Sequence, residues 1–139
     1  MKPLIPENTL PKNCRKINNE HAYLEYLNMK KLIDFTVTEN KKLNHDTILL
    51  VLHSDELPEI QPGQFVNVRV DHSPSTFLRR PISVHDVDES RGLLYLFIKI
   101  VGCGTSTLSE LQVGDKVNVM LPLGNHFSIP SSGRPLLIG

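Results

Sequence analysis

The chain has 139 residues, with 15 Lys and Arg against 15 Asp and Glu, so its formal charge at neutral pH is zero. That length suits one domain and a tail rather than two domains, and 40% hydrophobic with 22% charged residues is the balance of a folded chain. Zero net charge without a basic block argues against nucleic-acid binding through phosphate contacts, and no apolar run approaches the roughly 18 residues of a membrane-spanning helix.

Residues 1–28 are polar and proline-containing, with a short apolar pattern at Ala22, Tyr23, Leu24, Tyr26 and Leu27. Helices under about 12 residues are rarely stable alone, so this stretch is expected to be a poorly structured N-terminal extension to a domain over residues 29–130. Met1 to Leu10 holds two prolines and no apolar signal-peptide core, which makes a cytoplasmic location the expectation.

From Leu32 the hydrophobic period becomes two, the period of a half-buried strand. Ile33, Phe35 and Val37 alternate with Asp34, Thr36 and Thr38. A turn over Asn44–Asp46 precedes a more continuously apolar strand, Thr47–Leu52. Pro58 and Pro62-Gly63 then interrupt the chain, since proline removes a donor and glycine admits positive φ. Strands follow at Phe65–Val70, Ile82–Val87 and Leu93–Val101; in the last, Leu94, Leu96, Ile98 and Ile100 oppose Tyr95, Phe97 and Lys99. Between Val101 and the final strand, Lys116–Leu121, Gly102-Cys103-Gly104 lead into a short helix, with Thr107 and Glu110 at capping-box spacing. Six short strands in about 90 residues predict an antiparallel sandwich or closed barrel, all-β apart from one short helix. Closure is favoured because it leaves no exposed edge.

Two cysteines, Cys14 and Cys103, are too few for an iron–sulfur cluster or a zinc site, and the six histidines are scattered without helical pairing. No metal site is expected, and redox chemistry would need an organic cofactor. Two stretches can bind a phosphate. In Phe77-Leu78-Arg79-Arg80-Pro81-Ile82-Ser83 an arginine can fork onto a diphosphate. The helix after Gly104 presents unpaired backbone N–H groups.

Arg80-Pro81-Ile82-Ser83, then Phe97-Ile98-Lys99, then Gly104-Thr105 resemble the flavin-binding barrel of the ferredoxin–NADP reductase superfamily. More narrowly the chain is similar to the electron-transfer subunit of class B (NAD-dependent) dihydroorotate dehydrogenase. Pro62-Gly63-Gln64-Phe65, Val113-Gly114-Asp115 and Leu121-Pro122-Leu123-Gly124-Asn125 support the resemblance, which covers Leu32 to Pro130.

The resemblance implies a six-stranded antiparallel Greek-key barrel that holds FAD. It implies Arg80 at the FAD diphosphate, Pro81 and Ile82 along the flavin, and Ser83 at the isoalloxazine edge. Phe97, Ile98 and Lys99 would line the ribityl and adenosine side, and Gly104 and Thr105 would give the diphosphate a close backbone approach. The wider superfamily usually has a tyrosine where Ile82 stands, so ring stacking is missing at that position.

For the complete family member the resemblance implies electron transfer in pyrimidine biosynthesis, from NAD(H) through FAD and a [2Fe–2S] cluster to the FMN of a catalytic dihydroorotate dehydrogenase partner. Residues 131–139 read as the first strand of a nicotinamide-binding domain, cut before its glycine-rich turn. The chain is therefore expected to lack its own NAD site and cluster. Two alternatives stay open: the flavin subunit of a sulfide dehydrogenase or of an NADH-dependent ferredoxin–NADP reductase complex, and a cofactor-free barrel that docks a partner.

Overall fold

The computed structural model describes residues 30–73, 75–128, 130–134 and 136. The expected extension over residues 1–28 lies outside the described residues, as do residues 135 and 137–139 of the expected terminal strand. The elements in chain order are β1 (Lys31–Lys42), β2 (Thr47–His53), β3 (Phe65–Val68), β4 (Arg80–Asp88), β5 (Leu93–Lys99), α1 (Cys103–Ser109) and β6 (Lys116–Leu123). The strands close into one antiparallel barrel in the order β1-β2-β5-β4-β3-β6. Among the described residues no helix is long and apolar enough to cross a membrane.

The period-two pattern sets which side chains fill the barrel. Ile33, Phe35 and Val37 of β1, Val66 and Val68 of β3, Leu94, Leu96 and Ile98 of β5, and Val117, Val119 and Leu121 of β6 are all buried in one cluster. Fully burying such a side chain contributes about 1.5–3 kcal/mol, so alternation alone specifies register. Leu108 of α1, 2% exposed, joins this cluster and so packs the helix on the barrel core.

Turn chemistry shapes the other connections. A 3-10 turn over Glu89–Arg91, capped by the Asp88 carboxylate accepting from Arg91 N–H, joins β4 to β5. Gly92 closes it in the left-handed region at φ 62°, where a Cβ would stand 2.5 Å from the Ser54 carbonyl oxygen. Only glycine meets both demands.

Several expected boundaries shift: β4 begins at Arg80 instead of Ile82, β5 ends at Lys99 instead of Val101, and β6 runs on to Leu123 instead of Leu121. β3 ends at Val68 instead of Val70, although Arg69 N–H still donates to Asn118 O of β6 at 2.9 Å. The helix was expected to be capped by Thr107 and Glu110; instead it starts at Cys103 with Gly102 as N-cap, and Glu110 is its C-cap. The Thr105 hydroxyl accepts from Val101 N–H (2.9 Å) and Gly102 N–H (3.2 Å) and donates to Gly102 O (3.0 Å). It holds the strand-to-helix turn from inside, whereas Thr107 bonds back to Cys103 O.

Candidate functional site

The barrel is closed, yet one of its seams is only half sewn. β5 pairs with β2 along its whole length, from Leu93 to Lys99. Against β4 it pairs only from Leu93 to Leu96, opposite Asp88 to Val84, with a bulge between Val84 and Asp86. Arg80 to Ser83 pair with β3 alone. The first half of β4 and the last half of β5 therefore diverge and leave a slot.

Backbone alternation decides what faces it. Val84 N–H donates toward β3, to Gln64 O at 3.3 Å, and Ile100 N–H donates toward β2, to Asp46 O at 2.6 Å. Successive residues of a strand address opposite neighbours, so the polar groups of Ser83, Phe97 and Lys99 turn to the slot. Pro81 has the same parity and carries no N–H, which suits a strand edge without a partner. One more step of ladder would have made Ser83 and Phe97 full partners; short of it, the Ser83 N–H and the Phe97 C=O are left for water or a ligand.

One end of the slot is built by Arg80 and α1. The Arg80 stem lies on Gly104, where a Cβ would stand 3.0 Å from Arg80 Cδ and 3.3 Å from both Arg80 Cγ and Thr76 Cγ2. Arg80 is half-buried and its Nε donates to Arg79 O at 3.3 Å. The carboxylate pairs among the described residues involve Arg69, Arg91, Lys99, His45 and His53, not Arg80. The first intrahelical bond runs from Ser106 N–H to Gly102 O, so the amides of Cys103, Gly104 and Thr105 have no acceptor within the helix. A cation and a partly positive helix end thus share one corner.

Other expected residues divide. Pro81 and Ser83 are exposed on the outer face of β4. Ile82, expected along a flavin, instead stands opposite Val66 and packs its side chain on the core. Ile98 turns its side chain, 1% exposed, into the core, and its backbone parity turns its polar groups to β2. Phe97 is 51% exposed. Lys99, expected to line the ribityl and adenosine side, lies 3.5 Å from Asp46; the β2–β5 register sets Thr47 opposite Lys99 and brings the neighbouring carboxylate within reach. The Thr47 hydroxyl donating to Asp46 holds that carboxyl below its ordinary 3.8, helped by His45 and Lys99. Thr105 spends its hydroxyl on the turn, leaving its amide for a ligand. Among the described residues no group of three or more His, Cys, Asp or Glu is placed to hold a metal ion.

Two supporting residues gave no signal in the sequence. Asn40 Nδ2, at the end of β1, donates to Leu108 O (3.2 Å), Ser109 O (3.3 Å) and Leu111 O (2.9 Å). It ties down the C-terminal end of α1 and so fixes where the helix begins. Arg79, beside Arg80 in the sequence, donates from Nη1 to Asn118 O at 3.0 Å and from Nη2 to Asn118 Oδ1, turning away from the slot. Beyond the slot's closed end an open cavity of about 810 Å³ is lined by Pro62, Gly63, His85, Asp86, Asp88 and Phe127, among others.

Residues 34–127 match the family described as the oxidoreductase FAD-binding domain. The chain belongs to that family. The FAD-binding domain is 36% identical over 111 residues to the dihydroorotate dehydrogenase B (NAD(+)) electron transfer subunit of Desulforamulus reducens, covering 79% of this chain and 42% of the relative. The corresponding subunit of Bacillus caldolyticus is 38% identical over 108 residues, covering 75% of this chain and 42% of the relative. Less than half of these curated relatives' length is thus represented here. Among solved structures, an NADH-dependent reduced ferredoxin–NADP oxidoreductase superposes with TM-score 0.61 at 31% identity, over 68% of this chain and 34% of its own. The ferredoxin reductase of carbazole 1,9a-dioxygenase gives 0.66 at 26% identity, over 76% and 32%.

Proposed function

We propose that the FAD-binding domain holds its cofactor in the slot between β4 and β5, with the diphosphate at the Arg80–Gly104 corner and the flavin toward Ser83. The contact of the Arg80 stem with Gly104 carries this reading. It sets a guanidinium free of carboxylates beside three unspent amides, at a place kept open because a single Cβ would fill it. Arginine can fork onto a diphosphate with two charge-assisted bonds, and helix-start amides complement the same charge.

Each residue then has a task. Arg80 and the amides of Gly104 and Thr105 bind the anion. Pro81 and Ser83 border the flavin along the open edge of β4, where the Ser83 hydroxyl and amide orient its polar rim. Phe97 and Lys99 present backbone groups from the facing edge. Ile82 supports this strand from within the barrel and leaves the flavin's faces to other groups. When bound, FAD supplies hydride acceptance and electron release; the protein binds and orients it.

The relatives' names support a role as the flavin domain of an electron-transfer subunit of an NAD-dependent dihydroorotate dehydrogenase; the reading adds that electrons pass between NAD(H) and the FMN of a catalytic partner. In the complete assembly a nicotinamide-binding domain and a [2Fe–2S] cluster would lie in parts of the polypeptide not represented here. A second reading, as the flavin domain of an NADH-dependent ferredoxin–NADP oxidoreductase, is supported by the similarity to that structure. The two separate on the acceptor: co-purification with a dihydroorotate dehydrogenase catalytic subunit favours the first, and binding to ferredoxin the second.

Titrating the purified chain with FAD tests the site. The wild type should bind with flavin absorbance bands, and Arg80→Ala with Ser83→Ala should lose the cofactor. Undiminished binding by that double variant would overturn the assignment.

A further inference from the structure

His85 has none of the tasks assigned above, yet it stands at the closed end of the slot. It is the residue within the bulge between Val84 and Asp86, where β4 and β5 part. It shares the parity of Ser83, about 7 Å back along the strand, and both are exposed. Its ring meets Phe97 across the seam, with centroids 5.8 Å apart and planes at 39°, a separation typical of aromatic pairs. Two rings thus stand on the solvent side, while Leu96 and Ile98 on either side of Phe97 fill the core. Phe97 is 51% exposed, and the space beside His85 is open, since it borders the cavity of about 810 Å³.

Charge along β4 gives the slot a direction. Arg80 begins the strand, whereas Asp86 and Asp88 end it and Glu89 follows; all three carboxylates line the cavity with His85. A diphosphate is attracted to the first end and repelled from the second. An uncharged ring is the part of a dinucleotide that the His85 end can take.

We propose that His85 and Phe97 form the wall against which the heteroaromatic ring of the cofactor packs, with His85 the positioning residue that fixes where the ring stops along β4. This rests on the FAD reading and extends it to the ring's own contacts. Phe97 offers apolar surface. The imidazole offers a flat face and a rim N–H able to donate to a ring nitrogen or carbonyl.

The test is the dissociation constant of the full chain for FAD, FMN and ADP, with the visible spectrum of bound flavin. His85→Ala should raise the FAD and FMN constants by the same factor, about three- to tenfold, and shift the flavin band, while the ADP constant stays put. His85→Phe should restore FAD affinity. An unchanged flavin constant and spectrum in His85→Ala overturns the wall, and so does an equal loss of ADP affinity, which would report a disturbed fold. A wild-type chain without affinity for FAD removes the FAD reading itself, and the wall with it.

Discussion

Replacing Gly104 with alanine puts a methyl group 3.0 Å from Arg80 Cδ and 3.3 Å from Thr76 Cγ2. Non-bonded carbons are comfortable at about 3.5–4.0 Å, so a neighbour must yield by several tenths of an ångström. The Arg80 stem is the pliable one. Gly104 has no positive φ and lies inside a helix, so alanine suits its backbone and adds up to about 1 kcal/mol of helix propensity. Stability of the cofactor-free chain should hold or rise while the guanidinium is pushed from its corner. A hydrogen bond to a charged group contributes about 1.5–3 kcal/mol, so losing one weakens FAD binding roughly 10- to 100-fold. Thermal unfolding and flavin-fluorescence titration of the same preparation separate the two effects. Wild-type FAD affinity in Gly104→Ala would refute the corner as the diphosphate site, and a collapse in Tm would show that the fold itself demands the glycine.

Asn40→Ala leaves three carbonyl oxygens at the end of α1 without their shared donor; about 1–3 kcal/mol of stability should go, read as a Tm lower by several degrees, with a weaker FAD constant because the helix start loses its anchor. Phe35→Ala empties the middle of the barrel at a fully buried position and should cost about 3–5 kcal/mol in denaturant titration; a loss under 1 kcal/mol would contradict the packing. Gly92→Ala forces a side chain into the left-handed region and against the Ser54 carbonyl, so its Tm should fall, and an unchanged Tm would deny the tight turn. Asp46 titrates below its ordinary 3.8, chiefly through the Thr47 hydroxyl. A depressed folded-state value stabilises above 3.8 and is lost as pH falls through it, so the Tm gap between wild type and Asp46→Asn should be present at pH 6 and close below pH 4.

Strand faces were legible because burial on a pleated surface has a period of two. Leu94, Leu96 and Ile98 point inward and Phe97 and Lys99 outward, as their alternation requires. The parting of β4 from β5 was not legible, because the end of a ladder depends on partners distant in sequence; the only local hint was Pro81, which cannot donate across a seam. The helix start was misplaced because Thr107 and Glu110 satisfy a spacing rule, while the actual N-cap, Gly102, has no side chain to signal it and is held by the Thr105 hydroxyl from within the first turn. Asn40 was invisible for a plainer reason: its acceptors lie 68 to 71 residues away. Ile98 and Lys99 show the limit of transferring a motif as a block, since neighbouring strand residues face opposite ways and one of them is claimed by Asp46.

The unsewn seam makes cofactor supply a matter of quality control. An empty chain carries two loose backbone edges side by side, of the kind that recruit foreign strands, and a ligand confined to the native state stabilises it in proportion to RT ln(1 + [L]/Kd). With the cofactor seated there as proposed, filling the gap does more than confer colour: it also covers those two edges. Amide exchange at Ser83 should slow on loading of the proposed site, and flavin-starved cells should accumulate this protein as aggregate rather than as idle apoprotein.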